Sequence, residues 1–434
     1  MNWAKAAMAG LAFQALAGAP ALSAEPVERY VVRQGDTLYE LAQRYFVGGD
    51  YRAVQRLNRV ADPRRLRVGT QLKVPARLLR ITPIEARVAG FRGAVTVTAG
   101  GRTLPVSTGM MLKEGVVVTT GPNAFLRLDL PDGTHLSVPS QSRVRLGQMS
   151  IVEMTGVVRR DLEVQSGRLE SDVTPLRDPR DSYTVRTPMS VSAVRGTEFR
   201  VAYDDQAARA STEVIEGVVA VTGEHQGATL AAAYGAVTTA AGVSAPISLA
   251  AAPSLADPGR VQDEQTVRFQ ISAPAAALGY HVRLAADAGF VEVLDETSSD
   301  GPDLALGELP DGVYFLRLAA MDDNGLLGLP ATYAFERRLN TLRTDAPTST
   351  QEGGVRRYKF RWQSGGLGER TYRLQLLREG AQAPVVDEAG LTLQELTITD
   401  LPPGVYNWRV MSRTFARGGY YEKWTPLERF EIGR

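Results

Sequence analysis

The chain is 434 residues long and nearly neutral, with 49 Lys+Arg against 48 Asp+Glu. At roughly 100–200 residues per domain, that length predicts three or four domains, and the charge balance leaves no basic field for nucleic acid. There is no cysteine, which excludes disulfides, a thiolate metal site, a lipid-modified N-terminal cysteine and a cysteine nucleophile.

The first 24 residues read as an export segment. Lys5 supplies the positive start, Ala6 to Ala17 are nearly all small or apolar, and Leu22-Ser23-Ala24 before Glu25-Pro26 forms a cleavage site. Ala19-Pro20-Ala21 is an alternative site, and an uncleaved anchor is the alternative fate. Removing residues 1–24 takes away Lys5 and no acid, which leaves 48 charges of each sign. No later stretch reaches the ~20 apolar residues that span a bilayer. The mature chain is therefore expected to be periplasmic, cleaved near Ala24 and without a membrane span.

Between residues 25 and 78 the pattern is strand, helix, helix, strand. Val31 and Val32 form a strand that stops at Gly35-Asp36. Thr37-Leu38-Tyr39-Glu40 is a capping box, in which the threonine hydroxyl and the glutamate carboxylate each satisfy a backbone N–H. Leu38, Leu41, Ala42 and Tyr45 follow on one helical face. Asp50 caps a second helix with Ala53, Val54 and Leu57 as its apolar face, and Asn58 closes it. Gln71 to Val74 return as a strand ended by Pro75. Residues 29–75 resemble the LysM domain, a small βααβ module that grips glycans containing N-acetylglucosamine, most often peptidoglycan. The resemblance places the sugar between Gly35, Asp36, Thr37 and Leu38 on one loop and Val60, Ala61 and Asp62 on the other.

After a connector, residues 85–242 switch to short strands separated by Gly, Pro, Asn and Asp. Val95/Val97, Val116/Val118, Phe125/Leu126/Leu128/Leu130 and Leu136/Val138 alternate or cluster as half-buried strands do, and Pro131-Asp132-Gly133 marks a tight turn. Further motifs are Thr108-Gly109-Met110, Ser166-Gly167-Arg168-Leu169, Thr187-Pro188 and Arg195-Gly196-Thr197-Glu198-Phe199. In that order they resemble the FecR domain, which implies an all-β fold. Transducers of that family carry a cytoplasmic tail and a membrane span ahead of this domain. Here an export segment and the LysM pattern occupy that place, which puts the family's signalling role in doubt.

Residues 243–262, rich in Ala, Pro and Ser, read as a linker. Beyond it, Leu309-Pro310-Asp311-Gly312-Val313-Tyr314 recurs 92 positions later as Leu401-Pro402-Pro403-Gly404-Val405-Tyr406, and Tyr280 answers Tyr372 at the same displacement. Residues 263–340 and 341–434 are thus expected to be two β-sandwiches of the immunoglobulin or fibronectin type III kind, with Trp362 and Trp408 in the second core. The fold class expected for the whole is mainly β and multidomain.

No catalytic constellation, cofactor motif or metal site is found. His135, His225 and His281 lie in separate contexts. Glu198 reads as an exposed alternate residue of a strand, because a glycosidase would need a second carboxylate beside a raised-pKa acid. Asp322-Asp323-Asn324-Gly325 lacks the spaced ligands of a calcium loop and reads as a turn. The expected function is non-catalytic: a peptidoglycan-binding scaffold that presents its β domains to envelope proteins. The alternative is sensing and relay of the FecR type through a membrane partner.

Overall fold

The computed structural model describes residues 26–272, 277–416 and 418–433; the expected export segment and cleavage point lie outside them. The fold is mainly β, with two short α-helices near its start. Contacts divide the chain into two compact units: residues up to 84 with 148–160 and 177–182, and residues 85–147, 161–176 and 183 onward.

In the first unit, β1 (Val27–Val31) pairs antiparallel with β2 (Gln71–Pro75), with Tyr30 opposite Leu72. Helices α1 (Leu38–Tyr45) and α2 (Arg52–Asn58) are inserted between them in sequence. The Thr37 hydroxyl accepts the Glu40 N–H and donates to the Glu40 carboxylate, both at 3.1 Å. The expected capping box is therefore half formed: Glu40 takes the hydroxyl proton rather than the Thr37 N–H, since one hydroxyl can both accept and donate. Leu38, Leu41 and Ala42 are buried as their spacing demands.

In α2 the Asp50 carboxylate accepts the Arg52 N–H at 2.9 Å. Of the expected apolar face only Val54 is buried, while Leu57 is 46% exposed. The reason is how the helix docks. Asn58 donates to the carbonyls of Val54 at 2.8 Å and Lys73 at 2.7 Å, and accepts the Lys73 N–H at 2.7 Å. A polar stitch to β2 does the work that a wider apolar stripe would otherwise do.

The core of this unit is completed from far downstream. Two long strands, β3 (Arg143–Val152) and β4 (Val158–Asp172), are joined by a turn that brings Val152, Met154 and Val157 into one cluster with Leu38, Phe46 and Val54. Ser150 to Val152 pair with Ile81–Pro83. The Arg159 guanidinium forms an ion pair with Glu28, and the Val158 N–H donates to Asp181 at 2.9 Å. A βααβ module of this size buries little surface by itself, and the hairpin adds apolar area where it is short.

The second unit begins with two antiparallel sets of strands. One runs through Ala86–Arg92, Phe125–Asp129, His135–Val138, β4, β5 (Glu198–Asp204), β6 (Arg209–Glu216) and Tyr234–Thr239. The other includes Val95–Ala99 paired with Val117–Thr120, and Val191–Val194 between Ser182–Arg186 and Val218–Thr222. Val97, Val118, Leu126, Leu128, Leu136 and Val138 are all buried, as their alternation requires. Gly196 sits at φ +111, where a Cβ would meet the Cα of Pro175 at 2.6 Å, so only glycine fits that turn.

Residues 243–262 run pinned rather than free. Ile247–Ser248 pairs with Tyr234 and Gly235, Ser254–Leu255 pairs with Ile271 and Ser272, and Leu249 and Leu255 are buried. Val243 and Gln262 are buried as well, so the alanine-rich segment is anchored along its whole length.

The first sandwich packs Ser254–Leu255, Val267–Ser272 and Asp303–Leu306 against a four-stranded sheet. That sheet has β7 (Gly279–Ala285) at its centre, β8 (Val293–Ser299) on one edge, and β9 (Gly312–Met321) and Ala331–Arg337 beyond. The second sandwich repeats the plan with Arg370–Arg378 and Gly404–Ala416 central. The repeat extends to side-chain geometry. Tyr314 donates to the Pro310 carbonyl at 2.9 Å, and Tyr406 to the Pro402 carbonyl at 2.8 Å. Tyr314 stacks on Phe335 at 5.7 Å and 29°, and Tyr406 on Phe430 at 5.6 Å and 29°. Each is a tyrosine corner, an apolar ring in the core with its hydroxyl tied to backbone. Trp362 and Trp408 fill the second core.

Candidate functional site

The two loops expected to hold a sugar are joined directly: the Leu38 N–H donates to the Pro63 carbonyl at 2.9 Å. Gly35 turns the first loop at φ +88. Asp36 anchors it, its carboxylate accepting the Tyr30 hydroxyl at 2.9 Å and the Arg33 N–H at 2.7 Å. Burial, and then the bond to Asp36, push the Tyr30 phenol up to about 12. Thr37 is the cap of α1. The Leu38 side chain is fully buried, so it supports the site from beneath and presents no wall. In the second loop Val60 is half-buried against the same core, with its carbonyl accepting from the Gln55 side chain at 3.1 Å. Ala61 and Asp62 are exposed, and Asp62 accepts the Arg64 N–H at 2.9 Å.

Among the described residues, the N–H groups of Gly35, Thr37 and Ala61 donate to no protein acceptor. The two loops therefore carry unengaged backbone donors, with Leu38 and Val60 packed in the core beneath them. Both aspartates are engaged in their own turns. Sequence reasoning gave Asn58 as the end of α2 but missed its stitch to β2, and it missed Tyr30, which holds the first loop through Asp36.

The histidines do not converge. His135 bonds Asp129 through Nδ1 at 2.8 Å, His225 lies exposed in a loop, and His281 belongs to a charged seam. Asp322 accepts the Asn324 and Leu326 N–H groups at 3.0 and 2.8 Å, so that segment is a turn. Among the described residues no group of three or more His, Asp or Glu could hold a metal ion.

The seam lies between β4, β5 and β6 on one side and the first sandwich on the other, all within the second unit. Arg283, on β7, is 3% exposed. It donates twice to Glu170 at 2.8 Å and once to Glu296 at 3.3 Å. Glu296 also accepts from His281 and from the Ser140 N–H, both at 2.8 Å. A second clasp has Arg200 donating to Glu213 and to the carbonyls of Leu327 and Gly328 at 3.1–3.2 Å, while Glu213 accepts the Leu327 N–H at 3.0 Å. Burial alone would raise the Glu296 carboxyl; the His281 bond and Arg283 outweigh it and bring it down to about 2. Glu170 is lowered in the same way, burial being outweighed by Arg283. Burial lowers His281 against the opposing pull of Glu296.

Glu198 is exposed and stands directly opposite Asp172 across the β4–β5 pair. Partial burial, and then Asp172, raise its carboxyl. A cavity of about 330 Å³ adjoins this pair, but Arg127, Arg200, Arg283 and Arg317 line it, and no Tyr or Trp offers a face for a sugar ring. Partial burial, reinforced by a like charge set opposite on the paired strand, accounts for the shift.

Comparison with known proteins places two modules in this chain. Residues 30–75 match the family model for the LysM domain, and residues 116–220 match that for FecR protein. Both are families of binding or signalling domains. No curated protein matches the chain. Among solved structures, a putative anti-sigma factor from Parabacteroides distasonis ATCC 8503 is similar at 20% identity, with a TM-score of 0.26, over 30% of this chain and 59% of that one. The chain thus spans about three fifths of that protein's length. The fibronectin(III)-like modules of Clostridium thermocellum CbhA align at 11% identity and a TM-score of 0.20, over 41% of this chain and 90% of theirs. No helix among the described residues is long and apolar enough to cross a membrane.

Proposed function

We propose that this is a non-catalytic, exported envelope protein that holds peptidoglycan, or another glycan containing N-acetylglucosamine, in the groove between Gly35–Leu38 and Val60–Asp62. Its FecR and sandwich domains then face protein partners in the periplasm. The observation that carries the reading is the LysM match over residues 30–75, together with unengaged backbone N–H groups on two loops tied by the Leu38–Pro63 bond. An acetamido group needs such donors and a small apolar support, and no cofactor is required. The groove is open, so single-site affinity is expected to be micromolar to millimolar, about 4 to 8 kcal/mol. Relay of a signal to a membrane partner is the second reading, and it rests on the FecR match at residues 116–220.

The test is co-sedimentation of the mature chain with purified sacculi, beside Ala61→Trp. Ala61 is exposed, so the indole obstructs the groove without entering the core. The wild-type chain should pellet and the variant should stay in solution. A wild-type chain left in the supernatant overturns the reading.

A further inference from the structure

One large cavity lies outside the groove. It is a cleft of about 830 Å³ within the second unit, between the FecR strands and the first sandwich, within the usual range for ligand sites. Its floor is made by three chain reversals, at Asn123, Gln141 and Gly167, all at positive φ. At Gly167 a Cβ would lie 2.4 Å from the Gln141 carbonyl oxygen. The Ser166-Gly167 motif therefore fixes a close approach of two loops. Non-glycine residues held in that region cost free energy and cluster where a surface is used.

One wall is the edge strand β8. Among the described residues it pairs with β7 alone. Its start packs at Val293 against Phe125, whereas Glu296, Thr297 and Ser298 border the cleft. Along an edge strand, alternate residues turn their N–H and C=O groups away from the sheet and leave them to another chain, although the Glu296 N–H already bonds the Asp295 carboxylate at 3.0 Å. The lining also includes Arg209, whose guanidinium lies against Gly325, and Arg168. Neither arginine is in an ion pair among the described residues. Of the acids there, Glu296 is engaged by Arg283 and His281, and Asp204 accepts the Gln206 and Ala207 N–H groups. Only Asp205, exposed at the turn, is unengaged.

We propose that this cleft takes an extended, acidic peptide segment of a protein partner, added as a strand to the open edge of β8. Main-chain hydrogen bonds to β8 supply affinity, and carboxylates meeting Arg168 and Arg209 supply selection. This deepens the partner-facing half of the proposed function. Its failure would leave glycan binding untouched, because sacculus sedimentation reads the other module.

The experiment selects linear peptides of about twelve residues, long enough to overrun a strand, from a displayed library on the mature chain. Selected peptides should be rich in Asp and Glu, and should lose at least about tenfold in affinity to Arg168→Glu with Arg209→Glu. The single variant Arg209→Gln should show a smaller loss in a chain whose melting is unchanged. N-methylation at successive peptide positions should weaken binding at alternate residues, since a strand uses every second N–H. A library yielding no binder, equal tolerance of N-methylation at every position, or displacement of the peptide by soluble muropeptides would each overturn the proposal.

Discussion

The chain joins distant segments in two places and uses opposite chemistry for each. In the first unit the hairpin of residues 148–160 meets the LysM core mainly through Val152, Met154 and Val157, beside one ion pair between half-buried Arg159 and buried Glu28. At the seam of the second unit the FecR strands meet the first sandwich through buried charges, Glu170–Arg283–Glu296–His281 and Arg200–Glu213. A smaller apolar patch, Phe125 with Ala285, Phe290 and Val293, flanks that seam. An apolar joint costs little if one contact is trimmed slightly and is indifferent to pH. A buried ionic joint fails abruptly when one partner is removed, because the remaining charge is stranded in a poor solvent. The two joints should therefore fail in different ways.

The largest expected effect is at the seam. Arg283→Met leaves Glu170 and Glu296 without their shared cation and should cost about 3–5 kcal/mol in urea unfolding. Adding Glu170→Gln and Glu296→Gln should recover much of the loss. If the single variant unfolds like wild type, the seam contributes no stability and the ionic account is wrong.

Next is the apolar joint. Met154→Ala removes a side chain that is 4% exposed and should cost about 2–5 kcal/mol. The loss should appear in exchange protection of amides in α1 and β2, more than seventy residues away in sequence. A change confined to the hairpin's own amides would show that the joint is a contact without consequence.

The smallest effect separates the two by pH. Glu296 titrates at about 2 in the folded chain against an ordinary value of 4.5, and Glu170 is lowered too. A depressed carboxylate stabilises fully above its unfolded value, and that stability is lost as pH falls from 4.5 toward 2. His281, also lowered from 6.5, gives the same sign: its contribution is present above 6.5 and declines as the medium acidifies. Thermal melting followed from pH 7 to pH 3 should show the FecR–sandwich transition falling while the LysM transition holds. Parallel decline of both would refute the distinction.

Much of this architecture is legible in the sequence because it depends on local pattern. Alternation marks the FecR strands, Thr37 marks the start of α1, and a 92-residue displacement marks two sandwiches whose corner tyrosines prove geometrically alike. What is not legible depends on pairings remote in sequence. Glu170 and Arg283 are 113 residues apart, so each reads only as a polar member of an alternating strand. Met154 reads as part of the FecR segment, since nothing local says whose core it enters. In the candidate site the loops are foreseeable from the LysM pattern. The inward burial of Leu38 and the engagement of Asp36 by Tyr30 follow only once the fold is drawn.

The borrowed hairpin also orders events in time. Residues 26–84 are synthesised well before residues 148–160, so the LysM core lacks part of its lining until about seventy-five further residues have emerged. Contacts that span so much chain slow folding, because loop closure must precede the stability it brings. Until then Leu38, Phe46 and Val54 share an unfinished interior, the kind of exposed apolar surface that invites association with chaperones or other copies. The first module thus cannot complete its core before the hairpin at residues 148–160 has emerged.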